Sequence, residues 1–178
     1  AQKALANAKP RPRAEPVTLA PLTGDAVFES IAARDWFLFH PYHSFEPVVN
    51  LVARAAADPD VTSIKTTLYR VGGNSPIVRS LMKAAENGKQ VTVLFEARAR
   101  FDEDNNLTQG RRLRRAGCTV IFGLPGYKTH SKILLVTRME NGELKRYLHL
   151  GTGNYHDGTA KLYTDMGLLT ANPVLGED

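Results

Sequence analysis

The sequence lacks the features that would place it among membrane-spanning, secreted or disulfide-rich proteins. No apolar run approaches the ~20 residues that a membrane-spanning helix needs, and the opening stretch AQKALANAKPRPRAEP has no apolar segment typical of a signal peptide. Cysteine occurs once, as Cys118 within CTVIFG, so no internal disulfide can form. We therefore expect Cys118 to be a small buried hydrophobe and the environment to be reducing and cytoplasmic.

The composition suits one folded domain with a tail. The chain has 178 residues, of which 43% are hydrophobic and 23% charged, close to an ordinary globular protein. The net charge of +5 favours anionic partners, and nucleic acid, acidic lipid, nucleotide and polyanion all remain open at this level. Because the chain does not begin with methionine, we interpret it as a fragment of a longer protein.

The amino-terminal segment differs in composition from the rest of the chain. Residues 1–24 are rich in Ala, Pro and basic residues without helical periodicity, which predicts a linker or the trailing edge of a preceding domain. Residues 25–178 carry the patterns of a folded domain.

This second region alternates between strand and helix patterns. Asn141-Gly142 predicts a hairpin turn between the last two strands, and Ser44 and Ser75 are predicted helix N-caps. The order predicts an α/β fold with parallel central strands covered by helices, and ligands bind such sheets at the carboxyl ends of the strands. The predicted strands lie in VTSIKTTLYRV, QVTVLFEARARF, CTVIFG, SKILLVTR and RYLHLGTGN, and the predicted helices in SFEPVVNLVARAAADPD, SPIVRSLMKAAENGK and NLTQGRRLRRAG.

The stretch YKTHSKILLVTR contains the first candidate for chemistry. His130 and Lys132 are two residues apart at the start of a predicted strand, so their side chains project to the same face. A neutral imidazole can attack phosphorus while an ammonium stabilises phosphoryl oxygens. The pair suits phosphoryl transfer, although two ordinary strand residues would give the same pattern.

The stretch LGTGN, one hairpin later, is the second candidate. Gly151 and Gly153 would let backbone amides approach an anion, and Asn154 adds a neutral donor. A simple turn at the end of a strand is the alternative. Adjacent strands would bring this turn and the His130 pair to one edge of the sheet.

Charged side chains at other strand ends complete the candidate phosphate site. Arg70 and Arg100 end two predicted strands, and arginine is the preferred fork for phosphate oxygens. The basic stretch RRLRR, Arg111 to Arg115, is more typical of a solvent-exposed helix face than of a surface that binds a polyanion. Three consecutive acidic residues could hold Mg²⁺ or could simply form a charged loop. They are Asp102, Glu103 and Asp104.

The remaining histidines and one tyrosine have weaker signals. A proline between His40 and His43 disfavours a helical metal pair, so we expect structural or substrate-lining roles with zinc as a minor alternative. His149 in YLHLG is expected to be a hydrogen-bonded core residue. Tyr163 could stack on a base or pack against the protein.

Taken together, these motifs resemble the first catalytic C-terminal domain of the long, multidomain polyphosphate kinases, whose fold is that of phospholipase D. The resemblance covers roughly Phe28 to Asp178, and Thr137 stands where phospholipase D enzymes place an aspartate, five residues after the lysine. His156 stands where the family is expected to have asparagine. The motifs are HPYHSF, IKTTLYRV, SPIVRSLMKAAENGKQVTVLFEARARFDEDNN, GYKTHSKILLV, YLHLGTGNYH and KLYTDMGLLT.

The resemblance implies specific roles. His130 resembles the histidine that becomes phosphorylated, Tyr163 the tyrosine near the nucleotide, and Arg70 and Arg100 the arginines at the phosphate and Mg²⁺ site. A guanidinium has no acceptor, so we expect the arginines to grip phosphates that carry the ion. Lys132 and Asn154 would stabilise the transferred phosphate.

The implied reaction is reversible transfer of the terminal phosphate of ATP to inorganic polyphosphate, with ATP, ADP and polyphosphate as partners. The parent is expected to be a cytoplasmic homo-oligomer without specific nucleic-acid binding or a membrane span, and peripheral membrane association stays open. The chain would supply one half of a two-half catalytic unit, so we expect it to be inactive alone. A phosphodiesterase and a non-catalytic polyanion- or nucleotide-binding module are the alternatives, and Thr137 disfavours the first.

Overall fold

The computed structural model describes residues 15–96, 103–123 and 126–177, with only the backbone of Glu103. A short 3-10 turn at Ala20–Leu22 precedes the regular elements. The strands are β1 (Trp36–His40), β2 (Val61–Leu68), β3 (Gln90–Phe95), β4 (Thr119–Phe122), β5 (Lys132–Glu140), β6 (Glu143–Gly151) and β7 (Asp165–Thr170). The helices are α1 (Val27–Ala33), α2 (Glu46–Ala57), α3 (Pro76–Glu86), α4 (Glu103–Arg115), α5 (Asp157–Ala160) and α6 (Pro173–Glu177).

The strands form one mixed sheet in the order β1-β7-β6-β5-β2-β3-β4. Strands β2, β3 and β4 are parallel, and every other neighbouring pair is antiparallel. The predicted α/β sheet with helices is confirmed. Its parallel strands, however, lie towards one edge rather than at the centre, which β5 occupies.

Two of the seven strands have no counterpart in the sequence-based prediction. β1 and β7 pair with each other at the far edge, with Phe39 opposite Met166. Gly167 weakens the strand signal of β7, because glycine is depleted in strands. A Cβ at Gly167 would lie 2.7 Å from Nε2 of His149, so the neighbouring strand requires this glycine.

The hydrophobic core lies between one face of the sheet and helices α1 to α4. Cys118 is buried there, and burial raises the pKa of its thiol to about 11, which agrees with the expected buried hydrophobe. The opposite face is open around Ile133, Leu135 and Leu150, which line a groove of about 460 Å³. No helix in the described ranges is long and apolar enough to cross a membrane.

Local signals at the helix ends and hairpin are mostly confirmed. Ser75 caps α3 by accepting the N–H of Val78, and Asn141 and Gly142 both have positive φ in the β5–β6 turn. The predicted cap at Ser44 is wrong by one residue: Phe45 is the N-cap of α2. Phe45 is already helical in φ and ψ, and the Ser44 hydroxyl accepts the N–H of Glu46 just outside the helix.

The first described residues contact the folded domain. Leu22 is fully buried in the core, and its carbonyl accepts a hydrogen bond from the Asn50 amide. Val17 forms an isolated bridge with His43. Residues 15–24 therefore pack on the domain, while residues 1–14 lie outside the described residues, and the predicted linker or trailing edge over residues 1–24 stays a prediction.

Candidate functional site

Six of the strand ends on one side of the sheet form what we call the site edge. It consists of the ends of the strands at His40, Leu68, Phe95, Lys132, Gly151 and Asp165. Lys132 at the start of β5 pairs directly with Gly151 at the end of β6. The antiparallel hairpin thus brings the His-x-Lys pair and the glycine turn together, as the sequence predicted.

His130 and Lys132 are in direct contact. His130 is exposed just before β5, whereas Lys132 is 4% exposed and directs its ammonium to Nδ1 of His130 at 3.1 Å. The same ammonium donates to the carbonyl oxygen of His130. The lysine is therefore held against the histidine rather than extended into solvent.

The surroundings keep the imidazole neutral. Partial burial lowers the pKa of His130, and the charges of Lys132 and Lys128 lower it further. Burial also lowers the pKa of Lys132, while the Asp165 carboxylate acts in the opposite direction. At neutral pH, His130 consequently keeps a lone pair on one ring nitrogen, as a nucleophile towards phosphorus requires.

Tyr69 is a site residue that the sequence analysis missed. Its buried ring meets the His130 imidazole edge to face, with ring centroids 4.9 Å apart. The ammonium groups of Lys128 and Lys132 each lie 5.5 Å from its centroid. The tyrosine stands within the quoted IKTTLYRV motif, next to Arg70, and that adjacency was the available signal.

Arg70 lies two residues beyond the end of β2 and belongs to the same cluster. Its guanidinium carbon is 5.7 Å from the Tyr69 centroid. Arg70 is therefore the third cationic side chain close to that ring. Arg100 lies outside the described residues. The predicted pairing of the two arginines therefore stays a prediction, while Arg70 is at the site edge.

The glycine turn is shaped by close packing. A Cβ at Gly151 would lie 2.9 Å from Cε1 of His149, and a Cβ at Gly153 would lie 2.6 Å from Cγ of Asp165. The Thr152 hydroxyl donates to Asp165 at 2.8 Å, which fixes the turn against β7. Asp165, the acidic residue that faces Lys132, was not among the predicted site residues.

Asn154 ends this turn and is half-buried. Its Oδ1 is buried and has no hydrogen-bond partner among the described residues. Together with Gly151, Gly153 and Asp165, it lines a small recess beside Lys132. The glycines have a packing role at this recess, and the predicted approach of the glycine turn to an anion stays a prediction.

Two buried histidines, His149 and His40, lie next to the glycine turn. His149 is 2% exposed and its Nδ1 contacts the Tyr155 hydroxyl at 2.9 Å, as expected of a hydrogen-bonded core residue. Burial and the nearby His40 lower the pKa of His149 to about 3. His40 is itself buried and contacts the carbonyl oxygen of His43. Both rings therefore have structural hydrogen bonds.

Two further candidates lie on the surface around α5. Nδ1 of His156 accepts the N–H groups of Gly158 and Thr159, so His156 is the N-cap of this short helix. Tyr163 is 63% exposed between α5 and β7, where it is accessible to a nucleotide. Its predicted role there stays a prediction.

The basic face of α4 is largely solvated. Arg111 and Arg115 are exposed, and Arg114 turns back to the carbonyl oxygen of Val120. This arrangement agrees with the favoured interpretation of RRLRR as a solvated helix face. Gly110 on the inner side allows the close approach of Phe122, whose Cε1 would lie 2.7 Å from an added Cβ.

Within the described ranges, no group of three or more His, Cys, Asp or Glu side chains is placed to hold a metal ion. The Arg70 guanidinium offers only donors. Of the acidic trio near α4, Asp102 and the Glu103 side chain lie outside the described residues, and Asp104 is exposed.

The fold defines the general class. The structure matches a phospholipase D family member, Nuc from Salmonella typhimurium, with a TM-score of 0.60 over 81% of this chain and 87% of that chain. NucT from Helicobacter pylori matches with a TM-score of 0.59. The identities are 17% and 12%, so these likenesses show a phospholipase D-like fold and nothing further.

Sequence similarity then gives the family. The profile of "Polyphosphate kinase C-terminal domain 1" matches residues 26–178, and the chain belongs to this family. The chain is 60% identical over 152 residues to a polyphosphate kinase of Halalkalibacterium halodurans, covering 85% of this chain and 22% of that protein. A polyphosphate kinase 1 of Chlorobaculum tepidum is 60% identical over 149 residues, covering 84% of this chain and 21% of that protein.

A solved structure agrees with this assignment. The polyphosphate kinase from Porphyromonas gingivalis matches with a TM-score of 0.77 and 37% identity, covering 95% of this chain and 28% of that chain. The expected resemblance is thereby confirmed. The chain spans about a fifth of the length of these curated relatives.

Proposed function

We propose that this domain carries the phosphoryl-accepting histidine of an ATP:polyphosphate phosphotransferase. The observation that supports this most directly is the exposed, neutral His130 against the Lys132 ammonium, 3.1 Å away. The family match supports the choice of substrates, since the two curated relatives described above are named polyphosphate kinases. We expect ATP or ADP and inorganic polyphosphate to be the substrates of the full-length protein.

In the proposed reaction, the His130 imidazole attacks the terminal phosphorus of ATP. A nitrogen–phosphorus bond forms, the bond from that phosphorus to the bridging oxygen breaks, and ADP leaves with the electron pair. A terminal oxygen of polyphosphate then attacks the same phosphorus, and the nitrogen–phosphorus bond breaks. The reverse sequence returns phosphate to ADP.

Lys132 has two roles in this scheme. An ammonium only donates hydrogen bonds, so Nδ1 of His130 accepts in the free enzyme and the ring is held in place. Entering phosphoryl oxygens compete for the same ammonium, which releases the imidazole to attack. Lys132 then stabilises the negative charge on the transferred group.

Neighbouring groups would bind the phosphates. Arg70 at the site edge and Asn154 in the glycine turn are proposed to donate hydrogen bonds to phosphoryl oxygens, and Arg100 has the same proposed role. Mg²⁺ is proposed to enter with the nucleotide phosphates rather than on protein ligands. Tyr163, exposed beyond α5, is proposed to lie near the nucleotide base.

The parent protein is proposed to be a cytoplasmic homo-oligomer. This domain would contribute one half of the catalytic unit, and its open apolar sheet face around Ile133 suits packing against further protein. We therefore expect negligible polyphosphate synthesis by the 178-residue chain alone. Substantial synthesis by that chain would contradict the two-half architecture.

The nucleophile is tested by covalent labelling of the full-length enzyme with γ-labelled ATP. His130→Ala should abolish the acid-labile label on the protein, whereas His156→Ala should retain it, because His156 caps a surface helix. Label at the wild-type level in His130→Ala would rule out the assignment. Hydrolysis of phosphodiesters without nucleotide would favour the phosphodiesterase alternative instead.

A further inference from the structure

A buried carboxylate holds the backbone next to His130. Oε2 of Glu96 accepts the N–H of Thr129 at 2.7 Å, and Glu96 is 2% exposed. Thr129 precedes the start of β5, so its N–H has no place in the strand pairing of the sheet. A buried polar side chain is costly unless it is hydrogen-bonded, and this bond provides a partner for both Oε2 of Glu96 and the N–H of Thr129.

The segment is held equally firmly on the other side of His130. The Thr67 hydroxyl donates to the carbonyl oxygen of Ser131 at 2.7 Å and accepts the N–H of Ile133 at 3.0 Å. His130 therefore lies between two fixed neighbours, Thr129 and Ser131. Its exposed ring stands on a backbone that the ends of β2 and β3 hold in place.

Glu96 is itself anchored by a fully buried amide on α4. Nδ2 of Asn106 donates to the carbonyl oxygen of Glu96 at 3.1 Å and to the carbonyl oxygen of Tyr69 at 2.8 Å. The N–H of Glu96 also donates to the carbonyl oxygen of Leu68. Asn106 thus joins the residue that holds the His130 backbone to the residue whose ring contacts the imidazole.

We propose that Glu96 is a positioning residue for the reacting histidine, with Asn106 as the common anchor for Glu96 and Tyr69. The proposal rests on the function proposed for His130. In-line attack needs the nucleophile within a few tenths of an ångström of its productive position, and a displacement of about 1 Å can lower the rate by ~10²-fold. Glu96 and Asn106 act on that position without touching the phosphate.

The test measures single-turnover phosphorylation of the full-length enzyme over a range of ATP concentrations. This separates the maximal rate from the ATP concentration at half-saturation. Glu96→Ala should lower the maximal rate about 10- to 100-fold while leaving half-saturation within about 3-fold. Glu96→Gln keeps an acceptor oxygen of the same reach and should recover most of the rate.

A matched pair on α4 provides the control for stability. Asn106→Ala should lower the maximal rate, whereas Gln109→Ala should not, although both remove a buried amide that donates to backbone carbonyls. Thermal unfolding of both variants reports the structural cost. If Glu96→Ala does not fold, the comparison of Asn106→Ala with Gln109→Ala decides by the same kinetic separation.

Three results would overturn the proposal: a wild-type maximal rate in Glu96→Ala, an equal loss in Glu96→Gln and Glu96→Ala, or a rate loss that follows thermal stability in Gln109→Ala as well. His130→Ala in the same assay separates this from failure of the proposed function. If His130→Ala still becomes labelled, the nucleophile assignment fails. If it does not, and Glu96→Ala reacts normally, only the positioning role fails.

Discussion

The Lys132 ammonium lies 3.1 Å from Nδ1 of the His130 imidazole. This contact couples the two groups electrostatically, since the charge of Lys132 helps to lower the pKa of His130. Lys132 is buried beneath the exposed ring, so the charge acts from the protein side. An incoming phosphate can thus approach the histidine from solvent and meet the lysine at the same time.

The pH dependence of phosphorylation should follow His130. Because its pKa is lowered, the imidazole stays neutral at pH 7, and the rate should fall only as the pH drops below the ordinary histidine value of about 6.5. Lys128→Met removes a charge that lowers this pKa, so the acid limb should move to higher pH. Rate–pH profiles at low ionic strength provide the measurement.

Lys83→Met is the matched control for that charge change. Lys83 is exposed on α3 and forms an ion pair with Glu86, so its removal should leave the acid limb in place. An unchanged limb in Lys128→Met, or a shift to lower pH, would contradict the assignment of His130 as the titrating group.

Gly153→Ala should distort the glycine turn. The new Cβ would lie 2.6 Å from Cγ and 2.9 Å from Cβ of Asp165, so one of the two residues must move. We expect a loss of about 1–3 kcal/mol in the free energy of unfolding, measured by urea denaturation. Gly24→Ala, with no atom within 4 Å of its added Cβ, should be nearly neutral. Equal stabilities of the two variants would refute the packing role of Gly153.

Arg70→Lys should weaken the binding of ATP. Lysine keeps the charge but loses the planar fork that contacts two phosphate oxygens, so the ATP concentration at half-saturation should rise by about 10-fold. Arg79→Lys provides the control, because Arg79 is exposed and bonds the neighbouring Asn74 carbonyl. Unchanged ATP dependence in Arg70→Lys would exclude a direct phosphate contact.

Acid stability should depend on Glu140, at the other end of β5. Burial alone would raise its pKa, but hydrogen bonds from Lys145, Tyr147 and Arg138 outweigh this and lower the pKa to about 2. A carboxyl group whose pKa is lowered by folding stabilises the folded state at pH values above its unfolded pKa of about 4.5. This stabilisation is lost as the pH falls towards 2. The linked contribution is roughly 3 kcal/mol by order of magnitude.

The measurement is the free energy of unfolding of the wild type and Glu140→Gln between pH 7 and pH 2. Glu140→Gln should be less stable at pH 7, and the difference should shrink as the pH falls through this window. Glu143→Gln, at an exposed hairpin position, should behave like the wild type. A constant difference between Glu140→Gln and the wild type at all pH values would contradict the linkage.

Much of the site was predictable from short stretches of sequence. The contact of His130 with Lys132 follows from the two-residue period of an extended chain, and the turn at Asn141-Gly142 follows from residues that tolerate positive φ. The β5–β6 hairpin then brings Gly151 beside Lys132. These features depend on local backbone preferences, which a sequence displays directly.

The strands at the far edge were less accessible to such analysis. β7 contains a glycine and makes its hydrogen bonds with β6 and β1, so its strand conformation depends on those partners. Gly167 is needed because His149 lies beside it, a contact between residues on separate strands. Neither pattern is visible in the β7 segment alone.

The sequence by itself determined the nucleophile candidate, the glycine turn, the helix cap at Ser75 and the family. Only the tertiary structure decided which groups surround His130: Tyr69 against its ring, Glu96 on its backbone and Asn106 beneath both. The Thr129–Glu96 hydrogen bond joins residues 33 apart in the sequence, and the Asn106–Tyr69 hydrogen bond joins residues 37 apart. Both bonds therefore form only when the fold brings distant segments together. Local preferences set φ and ψ, whereas the partner of a buried carboxylate or amide is chosen by packing among distant segments.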